Sequence, residues 1–126
     1  MDRDSLARPL RSLAAQDYPD VEVVVINATG RAHRPLPERC GAHPLRIVGG
    51  ERKLPRAEAA NLGLECAAGD LIYFLDDDDE ALPGGISALV AALRANPASR
   101  LAHARSQVVD RQGRVMHYFG LSLIHI

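Results

Sequence analysis

Residues 21–26 read Val-Glu-Val-Val-Val-Ile, and no other stretch restricts the fold as much. β-Branched side chains stiffen an extended backbone and pack well on a pleated surface. A nearly unbroken apolar run, rather than an alternating one, suits a strand covered on both faces, as in a parallel sheet. Residues 71–75, Leu-Ile-Tyr-Phe-Leu, read the same way, and residues 45–48 form a shorter candidate strand ended by Gly49-Gly50.

Helical periodicity separates these strands. Leu6, Leu10 and Leu13 fall at helical spacing, with Pro9 either starting or kinking that helix before Asp17-Tyr18-Pro19-Asp20 ends it. Pro55 suits a first helical turn, and Ala59, Leu62 and Cys66 then recur on one face until Gly69. Pro83-Gly84 leads into an amphipathic helix carrying Ile86, Leu89, Val90 and Leu93 on one face, closed by Asn96-Pro97. Residues 101–109 and 114–118 flank Asp110-Arg111-Gln112-Gly113, the composition of a hairpin turn. Strands alternating with helices predict an α/β fold with a mainly parallel sheet flanked by helices, one packed core and no second domain. Right-handed crossovers would bring the C-terminal strand ends to one edge, where such sheets bind ligands. The polar segments beginning at Asn27 and Asp76 would meet there.

Composition narrows the function classes. With 47% apolar and 25% charged residues the chain has the balance of a globular protein. A net charge of -1 supplies no field for nucleic acid or an anionic membrane, and the few aromatics do not interleave with basic residues. No stretch approaches the ~20 apolar residues of a membrane span, and the N-terminal residues lack a signal peptide's apolar segment. Cys40 and Cys66 are too far apart for a disulfide scaffold or zinc site, so reduced thiols and a cytoplasmic location are expected. The five histidines show no ligand spacing and are read as structural or exposed.

Asp76-Asp77-Asp78-Asp79 follows a strand end directly. Adjacent carboxylates repel, and a divalent cation relieves that repulsion most economically. Oxygen donors without nearby Cys or His favour Mg2+ or Mn2+, ions that keep open positions for substrate phosphates. The competing reading is a solvated acidic loop at the start of the next helix.

The segment RAEAANLGLECAAGDLIYFLDDDD, residues 56–79, resembles the part of family 2 glycosyltransferases in which a helix with an Asn-x-Gly pair precedes a strand and its D-x-D motif. SLAAQDYPDVEVVVINATG, residues 12–30, resembles that family's first helix, its SL-x-x-Q-x-Y-P turn and its second strand, and the likeness extends through LPGGISALVAAL. The resemblance implies an incomplete GT-A-like, Rossmann-like domain over residues 1–120 and a nucleoside diphosphate sugar donor. It implies that Asp78 coordinates the metal, Asp76 supports it directly or through water, Asp77 faces the ribose, and Arg56 approaches the nucleotide. Asn61 and Gly63 are read as helix capping and close packing. Where the family's second strand ends in acidic residues, this chain has Asn27, which keeps hydrogen-bonding capacity for the nucleotide but no charge, or serves the turn alone.

The chain reads as cut at both ends, without the family's opening strand and without the half that supplies acceptor and catalytic base; residues 121–126 read as an irregular or non-native end, or as an edge strand. Metal-dependent sugar transfer to an unknown acceptor is therefore expected of the lineage, and binding of nucleotide and metal without turnover is the alternative for this chain. Phosphoryl transfer on an aspartate fits less well, because Glu80-Ala81 follows where such sites carry Thr or Val. Self-association through an exposed sheet edge is also expected.

Overall fold

The computed structural model describes residues 6–119. The chain divides into two compact units, Met1–Ile86 and Ser87–Ile126. The expectation for residues 121–126 lies outside the described residues.

The first unit is built on β1 (Val23–Asn27), which pairs in parallel with β3 (His43–Gly49) in the register Val23 to Leu45 through Asn27 to Gly49. A short β2 (Arg39–Cys40) lies antiparallel on the other side of β3, giving the order β1-β3-β2. Among the described residues parallel pairing is confined to β1 and β3, so the expected mainly parallel sheet is reduced to one parallel pair with an antiparallel addition.

The β-branched run is sandwiched as its composition predicts. Val23 and Val25 are buried with Leu6, Cys40 and Leu45, and Leu10, Leu13 and Ala14 of α1 (Ala7–Ala14) pack against this cluster. The opposite face carries Ile26, whose side chain lies 3.5 Å from the position a Cβ on Gly63 would occupy, so α2 (Arg56–Cys66) packs on the strand at an ordinary van der Waals distance that does not itself require glycine. Pro9 is buried within the first turn of α1, where its missing N–H costs nothing. α2 ends at Cys66, earlier than the Gly69 stop expected: the Arg46 guanidinium donates to the Cys66 carbonyl, and the Glu22 carboxylate accepts from the Ala68 amide at 2.5 Å. A cation on the last carbonyls offsets the helix dipole.

Residues 72–75 carry no regular secondary structure and join no ladder among the described residues, which corrects the expected strand at 71–75. A strand needs a hydrogen-bonding neighbour, and composition cannot show whether one is within reach.

The second unit holds all but the first two residues of α3 (Gly85–Ala95) and an antiparallel hairpin, β4 (Ser106–Val109) and β5 (Val115–Phe119). The hairpin forms around the expected turn, although its first strand is shorter than expected. Asp110 organises it: its Oδ1 accepts from the Gln112 and Arg114 amides, both at 2.9 Å.

Candidate functional site around the acidic turn

Three polar segments meet beyond the C-terminal ends of the parallel strands. The loop after β1 is tied to the approach to α2 by the Leu54 amide, which donates to the Ala28 carbonyl at 3.0 Å, and by a bridge between Thr29 and Lys53. The start of α2 then faces the acidic turn, with an Arg56 guanidinium nitrogen 3.7 Å from Asp76 Oδ2. The fold thus brings together Arg56, at the start of α2, and the acidic run.

The turn closes when the Asp79 amide donates to the Asp76 carbonyl at 3.2 Å. Asp76, Asp78 and Asp79 each present a carboxylate oxygen within 4.8 Å of the others, all exposed. Such an all-oxygen set fits a hard divalent cation, although exposed carboxylates also cluster without one. Asp79 was not among the expected ligands; the turn that closes on the Asp76 carbonyl carries it back toward Asp76 and Asp78. Partial burial, and then repulsion from Asp78 and Asp76, raise the Asp79 carboxyl above the ordinary 3.8. Burial and the Asp79 charge likewise raise the Tyr73 phenol above 10.0. Asp77 is exposed on the same turn.

Asn27 is placed differently from a nucleotide-facing residue. Its side chain is fully buried, with a relative exposure of 2%. Nδ2 donates to the Arg31 carbonyl at 2.7 Å, while Oδ1 accepts from the Thr29 amide at 3.2 Å and hydroxyl at 2.7 Å. Gly50, at φ +99°, passes so close that a Cβ would stand 2.7 Å from Asn27 Nδ2. Asn27 therefore shapes the loop from inside it.

Two residues beside the site carried no role in the sequence reading. Ser12 and Gln16 sit at the end of α1 and just beyond it, and both bond the backbone that leaves the acidic turn. Gln16 continues the Leu6, Leu10, Leu13 face and is 7% exposed. A polar amide on an apolar face was the available signal, since a buried amide must find partners.

The sequence model of glycosyl transferase family 2 matches residues 2–119. An uncharacterized glycosyltransferase of Haemophilus influenzae is 28% identical over 88 residues, covering 70% of this chain and 30% of the relative. The amylovoran biosynthesis glycosyltransferase AmsB of Erwinia amylovora is 32% identical over 82 residues, covering 61% of this chain and 27% of that protein. No solved structure matches the chain. With the family matched along nearly its whole length, this chain belongs to glycosyl transferase family 2 and carries an α/β fold of GT-A type. It spans about 30% of the length of the curated relatives it matches. Among the described residues no helix is long and apolar enough to cross a membrane.

Proposed function

We propose that this chain forms the donor-binding side of a metal-dependent glycosyltransferase that uses a nucleoside diphosphate sugar. The observation that carries the reading is the convergence of three carboxylates on one turn within reach of Arg56. In this reading Asp78 and Asp76 hold Mg2+ or Mn2+, Asp79 completes or tunes the group, and Asp77 faces the ribose. When bound, the cation offsets the charge that builds on the departing diphosphate. Arg56, whose side chain is 91% exposed, makes a long ion pair to Asp76 among the described residues and can swing toward a phosphate oxygen. Asn27 acts through the loop it folds rather than by direct contact. Two free cysteines, Cys40 and Cys66, support a reducing, cytoplasmic setting. The acceptor and the catalytic base are not assigned to these residues, and binding of nucleotide and metal without turnover is the second reading.

Titration of Mn2+ and of nucleoside diphosphates, alongside transfer and hydrolysis assays on a panel of nucleotide sugars, tests both readings. Nucleotide binding is expected to require the metal. Asp78→Ala is expected to weaken Mn2+ binding about tenfold or more, and Asp79→Ala less, because in this reading Asp78 is the residue on the ion. Equal losses, or tight nucleotide binding without metal, count against the site; binding without turnover selects the second reading.

A further inference from the structure

The acidic turn has to hold its carboxylates together against their mutual repulsion before any cation arrives. The exposed ion pairs of Arg56 with Asp76 and of Arg8 with Glu80 are solvent-screened and contribute little. The buried hold lies on the exit side. Gln16 Nε2 donates to the Ser12 carbonyl at 3.1 Å and the Leu82 carbonyl at 3.0 Å, with the Ala81 carbonyl a longer third acceptor at 3.4 Å. Its Oε1 accepts from the Ile86 amide at 3.2 Å. Ser12 Oγ accepts from the Ala81 amide at 3.0 Å and donates to the Pro9 carbonyl at 2.7 Å. Four backbone groups within six residues of the turn's exit are thereby fixed to α1 and the residues just after it. Ala81 is itself buried, at 6% exposure, and lies two residues beyond Asp79.

We infer that Gln16, assisted by Ser12, is a positioning residue for the cation: its carboxamide clamps residues 81–86 and so sets the spacing of the carboxylates of Asp76, Asp78 and Asp79. The inference rests on the metal reading proposed above. A carboxamide suits the task because it donates and accepts at once, matching two carbonyls on one side and an amide on the other. Neither a carboxylate nor an alkyl side chain of similar length satisfies both. Removing it leaves buried backbone groups without partners, and the least costly relief is for the segment to move outward to water. That movement would release the turn while the β1–β3 core, built from other contacts, stays folded.

The test uses the full chain with Mn2+ as the probe, read by electron paramagnetic resonance, with thermal melts and amide hydrogen exchange beside it. Gln16→Met should bind Mn2+ about tenfold more weakly, a difference of about 1.4 kcal/mol. Exchange at Ala81 and Ile86 should accelerate in the absence of metal. Ser12→Ala should show a smaller loss in the same direction, with acceleration at Ala81, and it carries the test should Gln16→Met fail to fold. Leu45→Ala, in the core and away from the turn, should lower the melting temperature at least as far while leaving Mn2+ affinity within about twofold. Unchanged Mn2+ affinity in both clamp variants, or an equal loss in Leu45→Ala, overturns the positioning role. A parent chain that binds no Mn2+ overturns the metal reading and the cation role together. It differs from failure of the clamp alone, in which the parent binds Mn2+ but Ala81 and Ile86 exchange at the same rate with and without Gln16.

Discussion

Asn27 shows how one side chain can be committed by its surroundings. A residue at the end of a parallel strand, at the edge where ligands bind, reads equally as a contact to the nucleotide or as a turn residue. In the fold its carboxamide is spent on Arg31 and Thr29 inside the loop, and the Gly50 backbone closes over it. The arrangement needs both a donor and an acceptor, so an acidic residue there would place a carboxylate against the Arg31 carbonyl. Asn27→Asp is expected to destabilise the first unit by about 2 kcal/mol, the cost of a buried hydrogen bond replaced by an unpaired and repelled group. Urea denaturation measures it. A midpoint equal to that of the parent would mean that the bond to Arg31 contributes nothing.

Among the elements, the β4–β5 hairpin stands apart because every residue of both strands is exposed. Its local order depends on the turn. The Arg114 amide above all holds the Asp110 carboxyl below the ordinary 3.8; desolvation opposes it, and the Arg114 guanidinium and the Gln112 amide add to the lowering. A carboxyl whose folded value is depressed contributes stability that is fully present above its unfolded value and is lost as pH falls through the folded one. The hairpin is therefore expected to keep its order at neutral pH and to lose it only below about pH 3.8. Asp110→Asn should lose the ion pair to Arg114 at neutral pH and show no such acid transition. Amide chemical shifts of residues 106–119 across an acid titration check this; a transition that persists in the variant would assign it to another group.

At the scale of the whole molecule, surface left uncovered matters most. Among the described residues β1 is an edge strand of its sheet, and Leu71, Ile72, Tyr73 and Phe74 join no ladder and are between 44% and 61% exposed. Unpaired backbone beside apolar side chains is a template for pairing with another chain. The chain is expected to associate as its concentration rises, each 100 Å² of apolar surface covered contributing about 2.5 kcal/mol. Ile72→Lys should reduce that association. Size-exclusion chromatography with light scattering decides it, and a monomer at all concentrations would show that these residues are covered in solution.

Local pattern was enough for much of this molecule. The β-branched run of β1, the apolar faces of α1 and α3, the turn at Asp110 and the acidic run all depend on residues close in sequence. Side-chain shape and spacing therefore reveal them. Whether residues 71–75 pair depends on a neighbour supplied from elsewhere, and their composition carries no record of it. The same holds for the depth of burial of Asn27, whose partners Thr29 and Arg31 are local but which the Gly49-Gly50 backbone covers, and for Gln16, whose acceptors in the exit segment lie 65 and 66 positions away. Asp79 joined Asp76 and Asp78 only through the closure of their turn. Sequence fixes which groups are available for hydrogen bonding and charge; tertiary structure decides which of them are spent inside the protein and which are left facing a ligand, because burial sets the cost of leaving each one unpaired.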